Sequence, residues 1–592
     1  MTGRKLRRAQ IVTPFGPGAI IDLVGESFVA EDAGRWRGKP QEVPFARLAS
    51  RLRVNYLRTP RPGEQLPYFR FPQWLFCSNC RRMVLWRSHE EKRNASPRCG
   101  RCPEPRKLVP MRFIAVCSNG HMCDVDWRRW AHSRAHRDRS QSQCQTIDLE
   151  FVSDGREGSG LQSLIVRCRR CKARRSLEQL TGKSALPQRC PGKQPWQSQN
   201  DSRPCDEHLV AMQRGASSVY FPNVVSAIDI PPESDWATQK SPITALRNRS
   251  DFKLLVGEPD HPAADALLAV IVGQTGLALA EVKAEIARLQ RDVGSAGEET
   301  EDEIRPEEWH ALCNPADGDD RDGFISRRVD KPAEGPALSP ATSELRKLVS
   351  DVIAVEKLRE VRVLKEFSRH RMEKEIPSNL TEPNEFLPAV EVFGEGFFLR
   401  FDETQVSAWE SRPAVRKRAA TLVERQQQNK LKWLPAAGAR YVMLHSFAHL
   451  LLRNTAFEAG YSTSALRERL YVTAPGGGVP MSGILIYTAA GDTEGTLGGL
   501  VRMAEPERLR RLLFDSVAMA QWCSFDPVCQ ESNGQGPGGL SLAACHACCL
   551  VPETSCEAFN RLLDRRLLTD EDIGFFAPLA KTLDQVPGGG AW

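Results

Sequence analysis

Cys77 and Cys80 in "CSNC" and Cys99 and Cys102 in "CGRC" form two CxxC knuckles separated by 18 residues. A CxxC turn aims two thiolates at one point, and a second such turn completes a tetrahedron with Zn–S distances near about 2.3 Å. The chemistry expected of this quartet is the holding of a structural zinc. A second knuckle, "CRRC" with Cys168 and Cys171, is followed by Cys190 and Cys205 in the Pro/Gly-containing "CPGKQPWQSQNDSRPC". These four thiols are expected to share one zinc. Between the two quartets lies "CSNGHMCDVDWRRWAH", which holds Cys117, His121, Cys123 and His132, with Cys144 further on. Cys117, His121 and Cys144 are candidates for an additional mixed site; the competing reading is buried thiols packed beside Trp127 and Trp130. Spacing does not choose the four ligands there.

The C-terminal stretch "AACHACCLVPETSC" supplies a knuckle, Cys545 and Cys548, flanked by Cys529 and Cys556, with Cys523 as a substitute. A redox CxxC needs a low-pKa thiol, usually at a helix start in a βαβ setting. This pair follows "GQGPGGLSLAA" instead. A closed set of four cysteines leaves no open coordination position, so the expected metal is structural and not catalytic. About three zincs are expected in all.

Several motifs fail on inspection. "TGKS" at 181–184 resembles the end of a P-loop, but GxxxxGK[ST] needs a glycine where Leu177 stands, and no other P-loop is present. ATP hydrolysis by this chain alone is therefore not expected. "HSFAH" places His445 and His449 at i and i+4, as in HExxH, yet Ser446 occupies the place of the glutamate that would act as general base. Packed or hydrogen-bonded core histidines are the better expectation. The Gly-rich "APGGGVP" and "AAGDTEGTLGGL" lack a following Lys-Ser/Thr and read as tight turns. Neither "GGLSL" nor "GPGAI" is a nucleophile elbow, and "FGEG" lacks the third glycine of a dinucleotide fingerprint.

The frame around these ligands is that of a folded protein of several domains: 592 residues, 41% hydrophobic and 26% charged, can bury real cores. No run of 18 apolar residues occurs, and no apolar segment follows the basic "MTGRKLRRAQ". A cytoplasmic protein without a membrane span is expected, and in that reducing setting CxxC pairs are metal ligands before they are disulfides. Residues 1–214 carry 40 Lys/Arg against 20 Asp/Glu, whereas residues 215–592 carry 41 against 54. Two or three four-thiolate zinc sites at net −2 each would trim the surplus of the basic half to about +14 to +16. What remains suggests a polyanion partner, the plainer alternative being a solvated arginine-rich surface. "VRCRRCKARRS" offers Arg169, Arg170, Arg174 and Arg175 for phosphate contacts, or merely as neutralisers of the thiolates.

The expected architecture is α+β and multidomain: a lead-in segment at 1–70, a basic zinc-ribbon-like knuckle region at 71–215, a helical segment with acidic loops at 216–345, and a mixed α/β C-terminal domain at 346–592 carrying the four-cysteine site. Residues 343–375 are expected to be helical and "AVEVFGEGFFLRFDE" a hairpin. "RYVMLHSFAHLLLRNTAFEAG" is expected to be a helix stopped by glycine, "SGILIYTA" a buried strand and "EPERLRRLLFDSVAMAQW" an amphipathic helix. The helix candidate "AADALLAVIVGQTGLALAEVKAEIARLQ" precedes "GSAGEETEDEIRPEEW" and "NPADGDDRDG", which read as exposed acidic loop.

Several of these stretches together resemble the DrmB family, subunits of the bacterial anti-phage DISARM system: "AQIVTPFGPGAIIDL", "CSNGHMCDVDW", "LHSFAHLL", "YTAAGDTEGTLGGLV" and "AACHACCLVPETSC". The C-terminal part is also similar to the zinc-binding domain that ends MrfA-type DNA-repair helicases. The resemblance implies a non-enzymatic partner of a separate superfamily 2 helicase, the DrmA subunit, in a hetero-oligomer that binds DNA. It would map the C-terminal zinc pattern onto Cys529, Cys545, Cys548 and Cys556. Cys549 departs from the small apolar residue expected there, and whether Cys548 or Cys549 ligates stays open in the sequence. The rivals are a zinc hydrolase using His121 or the 445/449 pair, and a stand-alone zinc-ribbon RNA binder.

Overall fold

The structure, a computed structural model, describes every residue except 1–5, 93–94, 134–143, 155–159, 183, 231–249, 258–260, 276–278, 280–281, 284–285, 287–304, 316–323, 331–338, 371–373, 430–433, 474–479, 489–497 and 586–592. The chain divides into two compact units: residues 1–226 with 362–390, and residues 227–361 with 391–592. Segment 362–390, expected in the C-terminal part, thus belongs to the first unit.

The cysteine-rich region of the first unit is built from short antiparallel strands in sets of three. One sheet orders Met83–Leu85, Trp74–Cys77 and Leu108–Pro110; a second Met122–Asp124, Phe113–Val116 and Val210–Gln213; a third Leu149–Ser153, Leu164–Cys168 and Arg174–Ser176. Strands of three to five residues bury little apolar surface, and small sheets of this kind usually need a metal or a disulfide to hold them. Each of these three sheets supplies or adjoins one cysteine set. Their shared core gathers around Trp127 and Trp130, both fully buried.

The second unit is a sheet covered on both faces. Ser482–Thr488 pairs antiparallel with Leu466–Val472 (Leu470 opposite Ile484) and with Phe386–Phe401 (Phe397 opposite Ile486). Strand residues point alternately to opposite faces, and the alternation is visible in the packing. Ile484 and Ile486 join Phe397, Leu399 and the Ala439–Ala459 helix in one core, while Leu485 and Tyr487 join Trp309, Phe398 and Tyr471 in another. A strand buried on both faces reads as a continuous apolar run, which is why "GILIY" is legible as a buried strand. The Ala439–Ala459 helix ends at Gly460 in the left-handed conformation (φ +72°), and Pro506–Ala520 is the expected amphipathic helix.

Three expectations fail. Residues 343–375 are not one helix: the helix stops at Leu348 and Val349–Ser368 is a strand. Its five valines suit a pleated surface, and the buried Arg359 is paired, with Asp229 at 2.7 Å and with Glu391 at 2.9 Å. Phe386–Phe401 is one strand and not a hairpin. Gly394 and Gly396 do not turn the chain there; they let the neighbouring strand come close, since a Cβ at either would run into a backbone carbonyl oxygen, Thr488 or Ile486. "RPEEW" is not exposed loop: Arg305–Cys313 is a helix, and Glu308 is fully buried. The acidic residues 294–304, "DGDD" and beyond to 323, most of both Gly-rich loops and parts of 276–290 lie outside the described residues.

Candidate metal centres

Two turns in the first unit are built alike. Cys77 and Cys168 each end a strand; the N–H of the residue after the second cysteine, Arg81 or Lys172, donates back to the first cysteine's carbonyl at 2.9 and 3.1 Å. Both Arg81 (φ +62°) and Lys172 (φ +64°) adopt the left-handed conformation. That reversal turns both sulfurs of the CxxC to one side. The loop fold, not the arginine-rich spacer, is what presents the ligands.

The first quartet closes as the spacing predicts. Cys77 Sγ lies 3.7 Å from Cys102 Sγ and Cys80 Sγ lies 3.7 Å from Cys99 Sγ. A zinc tetrahedron with Zn–S of about 2.3 Å has S···S edges of about 3.8 Å, so the cavity between these sulfurs fits the ion. Burial and then the adjacent sulfurs push the Cys80 thiol up to about 12. Cys99, also penalised by burial, is drawn down to about 7 by the backbone N–H groups of Arg101 and Cys102. Four neighbouring thiols cannot all ionise unaided; a divalent cation at their centre lets them.

The other two sets of the first unit do not follow sequence neighbourhood. Cys168 and Cys171 do not meet Cys190 and Cys205. They meet His132 and Cys144, with His132 Nε2 3.2 Å from Cys171 Sγ and Cys144 Sγ 3.9 Å from Cys168 Sγ. His132 Nδ1–H donates to the Arg128 carbonyl at 2.7 Å, which leaves Nε2 bare for a metal. Cys190 and Cys205 instead join Cys117 and His121: Cys117 Sγ to Cys190 Sγ is 3.6 Å, and His121 Nδ1 is 3.5 Å from each of those sulfurs. The expected single mixed site drawn from Cys117, His121 and Cys144 is therefore two Cys3His sets, one nested within the chain span of the other. Gly192 (φ +65°) allows this closure: its N–H donates to Cys190 Sγ at 3.4 Å, and a Cβ there would collide with the Arg203 carbonyl. Cys123 belongs to neither set; burial pushes its thiol up to about 12, and it packs in the core as the plainer reading has it.

At the C-terminus the four sulfurs that converge are Cys523, Cys529, Cys545 and Cys548. The separations are 3.5 Å for Cys523–Cys545, 3.7 Å for Cys529–Cys548 and 3.8 Å for Cys545–Cys548. Cys556 is not among them; its Sγ lies 3.2 Å from His445 Nε2. The substitute, Cys523, is the fourth leg because Arg565 holds the 523–529 loop, donating to Asp526 at 2.7 and 2.9 Å and to the Ala520 carbonyl at 3.0 Å. Arg453 of the Ala439–Ala459 helix holds the knuckle itself through the carbonyls of His546 and Ala547, at 3.2 and 2.9 Å.

The four arginines of the knuckle divide. Arg169, Arg170 and Arg174 are exposed, Arg169 with Asp148 at 3.8 Å. Arg175 lies with its guanidinium 3.5 Å from the centroid of Trp130 and donates to Ser133 Oγ. Half-buried, it packs on the ring, unlike the other three arginines.

Residues 447–549 match the MrfA Zn-binding domain, a span that contains Cys523, Cys529, Cys545 and Cys548. Residues 7–221, a span that contains the three small sheets, match a domain of unknown function (DUF8724). Along its length the chain is 30% identical to the DISARM protein DrmB of Bacillus paralicheniformis, over 95% of this chain and 100% of that relative. The chain belongs to the DrmB family. Its C-terminal four-cysteine set is a zinc-binding site, and the further Cys/His sets of this DrmB-family chain have the donors and spacing to hold zinc as well. Among the described residues no helix is long and apolar enough to cross a membrane.

Proposed function

We propose that the chain is a non-catalytic, zinc-stabilised subunit of a DISARM complex that partners a superfamily 2 helicase and adds DNA-backbone contacts to it. The observation that carries this reading is closure. Each Cys/His set described above offers four side-chain ligands and leaves no coordination position for water or substrate. Zinc held this way staples short sheets and does no chemistry. The relative's name places DrmB in DISARM, and the lack of a P-loop in this sequence supports a motor carried by a separate chain. The basic balance of residues 1–214 and the exposed Arg169, Arg170 and Arg174 support backbone contacts to DNA. Phe457 and Trp522, 86% and 67% exposed, line one groove with Met519 on the second unit. Large aromatic groups left in water in this way suit a protein partner, here the helicase.

The test is reconstitution of the full chain with the helicase subunit of its own DISARM set, on a DNA duplex with a single-stranded end. Affinity of the pair is expected to fall as salt rises. The combined R169E/R170E/R174E variant should bind more weakly, with a log–log salt slope shallower by about two to three, at roughly −0.9 per phosphate contact. F457S/W522S should release the helicase while keeping its zinc. Salt-insensitive binding, or full affinity in the triple arginine variant, would remove the DNA role; a helicase that ignores the chain would remove the partnership.

A further inference from the structure

His445 and His449 are core histidines, as expected, but they are not alone. Both rings are fully buried on the Ala439–Ala459 helix, and they face Glu468 of the Leu466–Val472 strand and Cys556 of the loop beyond the knuckle. His445 Nε2 is 3.1 Å from Glu468 Oε1 and 3.2 Å from Cys556 Sγ; His449 Nε2 is 3.5 Å from Glu468 Oε1. We propose that His445 Nε2, His449 Nε2, a Glu468 carboxylate oxygen and Cys556 Sγ hold a further zinc ion, distinct from the four-cysteine site of the same unit.

Three features support it. First, the tautomers are set for metal. A carbonyl only accepts, so His449 Nδ1 donates to the Cys549 carbonyl at 2.9 Å and His445 Nδ1 to the Leu562 carbonyl at 3.3 Å. Each neutral ring then turns a bare Nε2 lone pair inward, the second-layer arrangement usual for zinc-bound histidine. Second, the cluster is under-bonded: Glu468 Oε1 accepts the Glu557 N–H at 3.1 Å, but two other polar atoms have no hydrogen bond. His449 Nε2 and Glu468 Oε2 are buried without a hydrogen bond, and buried polar atoms in that state need an explanation. Cys556 Sγ, by contrast, accepts backbone N–H bonds from Ala558 at 3.3 Å and Asn560 at 3.2 Å, which favour its thiolate. Third, the charge closes. Two neutral imidazoles, one carboxylate and one thiolate carry −2, which a divalent cation cancels, so the centre can sit fully out of water. The four-thiolate sites, which stay at −2 with zinc bound, each keep a cysteine at least partly exposed, Cys80 and Cys545. Tetrahedral edges between nitrogen and oxygen ligands at about 2.0–2.1 Å from zinc run to about 3.4 Å, against 3.1 and 3.5 Å from the two histidines to Glu468. The site would pin helix, strand and C-terminal loop together, and its His449 already grips the backbone next to ligand Cys548.

The test uses the full chain, purified with a thiol reductant and assayed for zinc, iron, nickel and copper, and does not depend on helicase or DNA. The four Cys/His sets outside this cluster contain two histidines among sixteen ligands; the added site brings nitrogen and oxygen to five of twenty. Five zincs per chain are expected, with nitrogen and oxygen forming one quarter of the ligand shell in zinc-edge X-ray absorption instead of one eighth. His449→Gln should lose one zinc and return the share to one eighth. A wild-type share of one eighth overturns the proposal, as does an H449Q chain with unchanged zinc content and share. Should H449Q fail to fold, the wild-type spectrum decides alone.

Discussion

Cys548→Ala is expected to release one zinc per chain and open the 523–556 segment, whereas Cys549→Ala keeps that zinc and loses little stability. The two thiols are adjacent in sequence and both buried, yet only Cys548 Sγ stands in the tetrahedron, 3.7 Å from Cys529 and 3.8 Å from Cys545. Cys549 packs beside it, and the group of Cys549 that does a definite job is its carbonyl, which accepts from His449. Structural zinc contributes apparent binding energies of about 10–16 kcal/mol in small zinc domains, so a site reduced to three thiolates forfeits much of what orders the surrounding loop. Filling the Cys549 position with a methyl group leaves a small void, on the order of 1 kcal/mol. Metal content and proteolysis of the 523–556 segment measure the contrast. Cys523→Ala should behave as Cys548→Ala does. Retained zinc in either of those variants would show that the ligand set is wrong, and loss of zinc from Cys549→Ala would exchange the two neighbours.

The sequence made the knuckles legible because a CxxC turn is a local object: four residues, one reversal, two sulfurs. Their completion was not legible, because it depends on which sheets pack together. Cys190 is nearer in sequence to Cys171 than to Cys117, and yet Cys168 and Cys171 meet His132 and Cys144 while Cys190 meets Cys117. Cys523 against Cys556 was a similar choice between two distances along the chain, decided by Arg565 and Asp526, whose pairing no spacing rule encodes. The Ala439–Ala459 helix and the Ser482–Thr488 strand were readable from periodicity and apolar runs. The Val349–Ser368 strand was not, because some of its charged residues, Arg359 among them, are paired inside the protein instead of facing water. Glycine misled at Gly394 and Gly396 for a related reason: absence of a side chain serves close strand approach as well as turning.

The same reversal gives the largest effect expected outside the metal sites. Glu308 sits in a stretch whose acidity suggests exposed loop, but it is the hub of a buried network. Its carboxylate accepts from Arg469 Nε at 2.6 Å and Nη2 at 2.8 Å, from the Tyr471 hydroxyl at 2.9 Å and from the Ile228 N–H at 2.9 Å. Both charged side chains are essentially out of water, at 0% and 1% exposure. Glu308→Ala would take from the buried Arg469 its close partner, leaving Glu557 at 3.9 Å, and would remove the acceptor of a phenol and a backbone donor, a cost of about 3–5 kcal/mol for breaking a buried pair from one side. A chain of two units does not unfold in one step, so the measurement is local: amide exchange in Leu466–Val472 and Ser482–Thr488 should quicken by roughly a hundredfold to a few thousandfold. The paired change Glu308→Leu with Arg469→Met removes both charges together and should cost less than the sum of the single changes, because no buried charge then loses its close partner. The carboxylate ties the Arg305–Cys313 helix to the sheet, and the neighbouring strand residue, Glu468, faces the two histidines on the other side. Exchange rates in the E308A chain equal to wild type would mean that this network is decoration, and that the apolar contacts of Trp309 and Leu312 and the bonds of Arg305 hold the helix down.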